Sequence, residues 1–317
     1  MELFWIFLAA VAVLALLVIG IAYICYRIAF YAPPRNPRTI GELEVPEGEI
    51  YKPFWDKMRK WSQETRVLPQ EDLTITSFDG LTLHGTYYEY APDAPVELMF
   101  HGYRGSAQRD LAGGVQRCFK LGHSALLVDQ RCSNRSEGST ITFGVYEHRD
   151  CLDWLECMVK KFGPDRKIIL TGISMGAATV LMAAGKKLPS NVIGVLADCG
   201  YTSPKAIICD VMKKMGYPAG LAYPFVKLGA RLFGKFDPDS YSPLEAVTHC
   251  TVPVIFFHGE TDDYVPCDMS RANFDACTAK KKLVTIPNAG HGLSYPVDPV
   301  GYLDALREFW NEVPNYQ

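Results

Sequence analysis

Between Leu3 and Tyr26 there is no charged side chain, and a membrane-spanning helix needs about 20 apolar residues. Before that run the only charged side chain is Glu2, and bulky Phe30 and Tyr31 follow it. A cleaved signal peptide wants a basic leader, a shorter apolar core and a small-x-small site, so the run reads as an uncleaved anchor. No Lys or Arg precedes it, whereas Arg27, Arg35 and Arg38 follow. The positive-inside bias then places the rest of the chain in the cytoplasm. There is also no excess of positive charge: the formal net charge of −3 gives no reason to expect nucleic acid as a partner. No glycine-rich nucleotide loop, metal-ligand cluster, internal repeat or low-complexity tract stands out, so no cofactor and no metal is expected. The ten cysteines lack the short regular spacings of a disulfide framework or a metal knuckle. Most, such as Cys118, Cys199 and Cys209, sit among apolar residues and read as small hydrophobes, in keeping with a reducing compartment.

What is present divides into an anchor over 1–30, a linker and N-terminal extension over 31–71, and one large domain over 72–317. The stiff, polar stretch Ala32 to Pro37 leaves the apolar run. Phe54, Trp55, Met58 and Trp61 recur at helical spacing, for a helix packed on the domain or lying at a bilayer surface. Leu73–Phe78 and Leu81–Tyr90 alternate apolar and polar residues around Asp79-Gly80, the pattern of a β-hairpin. Near-continuous apolar runs follow at Val96–Phe100, Ala125–Val128, Ile168–Leu170, Val192–Leu196, Val252–Phe257 and Leu283–Ile286. Separated by helical lengths, they predict a mostly parallel sheet covered on both faces, an α/β fold. Residues 202–247 interrupt the alternation and read as a small helical cap, expected to shape the substrate pocket. Because the candidate site residues all lie after position 100, the domain is expected to stay active without residues 1–37.

Within this pattern Gly172-Ile173-Ser174-Met175-Gly176 spells G-x-S-x-G between an apolar strand and an Ala-rich helix. That motif is the sharp turn that presents a serine hydroxyl at the carboxyl edge of a sheet. Its glycines permit a turn in which a Cβ would press on the neighbouring strand or helix.

From about Leu73 to Trp310 the chain resembles the α/β-hydrolase superfamily. Its nearest resemblance is to bacterial membrane-anchored serine hydrolases grouped with dienelactone hydrolases, prolyl-oligopeptidase-type proteins and acyl-protein thioesterases. The resemblance implies the order nucleophile, acid, histidine. Ser174 supplies the first. His258-Gly259-Glu260-Thr261-Asp262, with Val265-Pro266 after it, is similar to the superfamily's H-G-x-x-D-x-x-V-P and aligns Asp262 as the acid, with Asp263 as the alternative. Ala289-Gly290-His291-Gly292 aligns His291 as the base. His101-Gly102-Tyr103-Arg104-Gly105 resembles the H-G-x-x-G oxyanion turn, which implies the backbone N–H groups of Tyr103 and Met175 as donors. Asp129-Gln130-Arg131 resembles the start of D-Q-R-x-H-G-x-S-x-G. This chain has Ser133 and Asn134 at the His-Gly pair, and Asn tolerates the left-handed backbone such a turn needs. Arg131 is expected to be an ion-pair partner, and His101 and His258 to hydrogen-bond backbone.

The implied function is a serine hydrolase that cleaves an ester or thioester, a small-molecule or acyl-group substrate, through an acyl-enzyme on Ser174. The alternatives are a serine peptidase of prolyl-oligopeptidase type and a non-catalytic scaffold on the same fold. Oligomeric state is not readable from these features.

Overall fold

The computed structural model describes residues 1–33, 45–314 and 316; Arg35, Arg38 and the Pro34 to Pro37 part of the membrane exit lie outside them. In chain order the helices are α1 (Glu2–Ala29), α2 (Trp55–Arg66), α3 (Ala107–Lys120), α4 (Glu147–Phe162), α5 (Met175–Ala184), α6 (Pro204–Lys214), α7 (Ala219–Gly229), α8 (Pro243–Ala246), α9 (Cys267–Ala276), α10 (Ser294–Val297) and α11 (Pro299–Asn311). The strands are β1 (Glu71–Thr76), β2 (Thr82–Tyr88), β3 (Val96–Phe100), β4 (Ser124–Asp129), β5 (Ile168–Ile173), β6 (Val192–Asp198), β7 (Val254–Gly259) and β8 (Lys281–Ile286).

They form one eight-stranded sheet in the order β1-β2-β4-β3-β5-β6-β7-β8. The hairpin β1–β2 is antiparallel, β2 joins β4 antiparallel, and every later pairing is parallel. β3 to β7 are buried except for Ile173 at the end of β5, as expected of parallel strands covered on both sides. One face carries α4, α5 and α9 around Trp154, Phe256 and Leu170. The other carries α3 around Met99 and Leu127 and α11 around Trp310, Phe309 and Leu196.

The N-terminal helix departs from a simple tether. It is apolar and long enough to cross a bilayer, with a mean hydropathy of 2.9 in its most apolar window and none of that window buried. Its C-terminal end, however, is built into the domain: Ala22, Tyr26 and Phe30 are buried. α7 approaches so closely that a Cβ on Gly229 would overlap the Ala22 carbonyl. Phe30 meets Phe143 and Phe236 edge-on, at 5.7 and 5.1 Å. The last carbonyls of a helix have no partner within it; here the Tyr103 hydroxyl donates to Ala29 O at 2.7 Å. The Arg104 guanidinium donates to Ile28 O and Tyr31 O at 2.8 and 3.1 Å.

Two expectations change accordingly. The helices over 202–247 exist, but α7 packs on α1 and α6 on α7, in one apolar cluster with Met175 and Met182, rather than over the substrate cleft. The part of 31–71 described here is more than a linker. α2 packs on α3, and Phe54 and Met58 pack on Ile286, Ala289 and Leu293. Of its two sequence readings, packing on the domain is the one the structure shows.

Removing residues 1–33 would expose the seats of Tyr26 and Phe30 and take away the Ala29, Ile28 and Tyr31 carbonyls to which Tyr103 and Arg104 donate. Burial of two such side chains corresponds to about 3–6 kcal/mol. Thermal unfolding in detergent should therefore show a clear loss of stability for that truncation, and little change when only residues 1–17 are removed. Equal stability of the two truncations would show that the docked end of α1 contributes nothing.

Candidate active site

The candidate site lies at the carboxyl edge of the sheet, where β5 turns into α5. Ser174 has φ 56° and ψ −117°, a strained conformation for a residue with a Cβ. It is held there by its N–H donating to Asp198 O at 2.8 Å and by two close backbone approaches. A Cβ on Gly172 would overlap the Gly176 carbonyl, and one on Gly176 would overlap that of Phe100. The two motif glycines therefore do what the sequence pattern requires of them. They bring α5 against β5 and β3 and leave the serine hydroxyl above the positive end of α5.

Ser174 donates to His291 Nε2 at 2.9 Å, and His291 Nδ1–H donates to Asp262 Oδ2 at 2.7 Å. This places the proton on Nδ1 and leaves Nε2 as acceptor. Asp262 is buried, and its Oδ1 also accepts the backbone N–H groups of Tyr264 and Val265 at 2.9 and 2.8 Å. His258 Nε2 stands 3.2 Å from its Oδ2. Burial by itself would raise the carboxyl; hydrogen bonds from His258 and His291, and then the Val265 N–H, outweigh it and hold Asp262 below the usual carboxylate range. Asp263 is exposed, and its carbonyl accepts Lys214 Nζ from α6. The structure therefore brings Ser174, His291 and Asp262 together and turns Asp263 outward.

The turn after β3 faces the serine. A Cβ on Gly102 would lie 3.6 Å from Ser174 Cβ, so the Gly102–Tyr103 backbone borders the site opposite Met175, the first residue of α5. Behind this turn His101 is buried. Its Nδ1 donates to Gly102 O at 2.8 Å, and its Nε2 accepts the Gln130 N–H at 3.1 Å. Gln130 Nε2 and Ser133 Oγ donate to His101 O and Gly105 O, both at 2.6 Å. Asn134 takes the left-handed conformation, φ 46°, as its place in the altered motif requires. Arg131 pairs with Asp150 at 2.6 Å and Asp79 at 3.0 Å, the ion-pair role expected of it. The Asp129–Asn134 loop thus backs the oxyanion-type turn and is absent from the cleft lining.

Two side chains escaped the sequence reading. Asp110, in the first turn of α3, accepts the Gly102 N–H at 3.1 Å and Arg109 Nε at 2.6 Å, clamping the turn from above. The only local signal for it was an acid just inside a Ser-capped helix. Tyr51 comes from the extension and lines the cleft. Burial, then the Cys199 thiol and the Asp110 and Asp262 carboxylates, push its hydroxyl upward, so it stays a hydrogen-bond donor. Cys199, Asp262 and His291 offer ligand atoms within 4.8 Å of one another, but both His291 nitrogens are already engaged. Burial also raises the Cys199 thiol, so it stays protonated.

The cleft above Ser174 has a volume of about 940 Å³, near the top of the range of about 300–1,000 Å³ for small-molecule sites. Ile50, Trp55 and Met58 of the extension line it together with Tyr264 and with Tyr295, which stacks on Trp61 at 5.3 Å. No residue of the 202–247 insertion lines it among those described.

The sheet, the strained serine turn and the cleft over it define an α/β-hydrolase of the serine hydrolase class. Residues 140–315 match the model of the prolyl oligopeptidase family, more than half of the chain, and the protein belongs to that family. The uncharacterized protein YqkD of Bacillus subtilis is 24% identical over 306 residues, covering 95% of this chain and 96% of its own. An esterase of Pyrococcus furiosus superposes with a TM-score of 0.65 at 20% identity, over 79% of this chain and 93% of its own. A puromycin-hydrolyzing peptidase of Mycobacterium tuberculosis superposes with a TM-score of 0.61 at 16% identity, over 80% of this chain and 40% of its own.

The loop geometry separates the two adjacent acids. Asp262→Asn should lower kcat by roughly 10³–10⁴-fold with little change in KM. Asp263→Asn should cost less than about tenfold, the scale of a surface charge. Steady-state kinetics on an activated substrate checks both, and a reversed order would mean that Asp263 orients His291.

Proposed function

We propose that the protein hydrolyses a carboxylic ester or thioester through an acyl-enzyme on Ser174. The observation that carries this reading is the unbroken chain Ser174 Oγ–His291–Asp262, at 2.9 and 2.7 Å, opening on a cleft lined by both apolar and polar side chains. A serine hydroxyl is a weak nucleophile near neutral pH and needs a base as it attacks. His291 Nε2 takes that proton and later returns it to the leaving alcohol or thiol. Asp262 holds the tautomer and stabilises the imidazolium. The negative oxygen formed in the attack is met by the N–H groups of Tyr103 and Met175, each worth about 3–4 kcal/mol by analogy with other oxyanion donors. Water then enters by the same base and releases the acid.

The family, and the peptidase among its structural likenesses, favour a second reading as a serine peptidase. The apolar stretch Ile50, Met58 and Trp61 within a lining that also holds Tyr51, Arg59 and Asp110 supports the ester reading, since it suits an acyl chain. The length and apolar character of α1 support retention in a membrane. Arg27 in its last turn and ten unpaired thiols support a cytoplasmic domain.

Ser174→Ala should abolish both hydrolysis and labelling by a fluorophosphonate while leaving the circular dichroism spectrum unchanged. Labelling that persists on another serine would overturn the nucleophile. In a panel of nitrophenyl esters, acyl thioesters and peptide nitroanilides, higher kcat/KM on the nitroanilides would overturn the ester reading.

A further inference from the structure

The cleft does not end at Ser174. It continues inward along the face of the sheet covered by α3. Met99, Thr171 and Leu196 stand side by side on β3, β5 and β6 in the parallel register, and all three line the cleft. A gap between a parallel sheet and its covering helix is unusual, because such layers are close-packed. The opposing residues explain it. α3 carries two adjacent glycines, Gly113 and Gly114, in its interior, where each costs about 0.5–1 kcal/mol relative to alanine. A Cβ on Gly113 would come within 2.6 Å of Trp61, and one on Gly114 would overlap the end of the Met99 side chain. Both glycines line the cleft; lacking side chains, they let Trp61 and the end of Met99 lie against α3, which keeps those two side chains out of the space beside them. Along α3 the channel runs from Asp110 at the mouth to Arg117, about 10 Å at 1.5 Å per residue.

The floor is polar, yet it asks nothing of a ligand. Arg117 donates to both oxygens of buried Glu97, at 3.2 and 2.5 Å. Thr171 Oγ1 donates to the same carboxylate at 2.7 Å. The Tyr302 hydroxyl donates to Asp198 at 3.1 Å. With these groups satisfied inside the protein, what enters past Met99 is apolar. Its direction follows from proton return. The leaving group must stay beside His291 Nε2, where Tyr264 and Asp263 border the open mouth. The inner branch therefore takes the other half of the substrate.

We infer that the channel between α3 and the sheet, opened by Gly113 and Gly114 and floored by Arg117, Thr171 and Tyr302, is the binding site for a medium-length acyl chain. The depth suits an octanoyl group better than acetyl or palmitoyl. The inference rests on the ester or thioester reading and adds the substrate class to it.

The test uses nitrophenyl acetate, octanoate and palmitate with the full-length protein in detergent. The octanoate should have the highest kcat/KM, since burying each methylene is worth up to about fourfold. Gly114→Leu fills the channel and should lower the octanoate-to-acetate ratio of kcat/KM by about 10²-fold, with Gly114→Ala intermediate and supplying the measurement if the leucine variant does not fold. A ratio unmoved in Gly114→Ala and Gly114→Leu, or a wild type that prefers acetate, overturns the proposal. So does a Gly114 effect seen with octyl acetate instead, which would put the alcohol in the channel. Calorimetric titration of Ser174→Ala with octanoate separates this from the hydrolase reading. Binding that Gly114→Leu weakens supports the channel even if no ester is turned over, and absent binding overturns it even if esters are.

Discussion

At Gly172 and Gly176 the backbone of α5 lies directly against the backbones of β5 and β3, with no room for a side chain between them. Everything around the site depends on that approach. It forces Ser174 into a left-handed conformation, sets the first N–H groups of α5 beside the turn after β3, and fixes how far that turn stands from the serine. The strain at Ser174 persists because the surroundings over-determine it: Asp198 O holds its N–H, and α5 is buried along its whole length. A looser helix would let the serine relax and lose its line to His291.

Much of this was legible in the sequence because the signals are local. The G-x-S-x-G turn, the H-G turn after β3 and the loops carrying Asp262 and His291 are short segments whose backbone is set by their own residues. The apolar runs marked every strand of the parallel sheet, though β4 to β8 extend one to three residues beyond them. What stayed hidden depends on which surface each segment meets. An amphipathic stretch at Phe54–Trp61 announces a helix without announcing its neighbour, and α2 turned out to wall the cleft. The insertion over 202–247 has the composition of a cap, but its buried face was claimed by α1. No pattern in α1 distinguishes its exposed residues from those facing α7, since both sets are apolar. Asp110 was unreadable as a clamp because its partner, the Gly102 N–H, lies across a loop.

The buried charges tell a consistent story about rigidity. Glu97, the second residue of β3, has Arg117, His123 and Thr171 on its two oxygens, and Tyr316 beyond His123 at 2.7 Å. Burial alone would raise its carboxyl; Arg117 and His123 reverse that and keep it ionised. Removing one partner of such a group leaves an uncompensated charge, at about 3–5 kcal/mol. The network ties β3, α3, β5 and the last residues of the chain into one block, on which the turn after β3 is mounted.

The docked end of α1 has a mechanical meaning. A tether swivels, whereas a helix whose final carbonyls are gripped by Tyr103 and Arg104, and whose Ala22 lies against Gly229, has no joint. Whatever surface holds the exposed residues Leu3 to Leu17 therefore also dictates the tilt and roll of the whole catalytic body, as a keel dictates the heading of a hull. Because Tyr103 belongs to the turn that faces Ser174, a torque on that helix would be felt first at that turn.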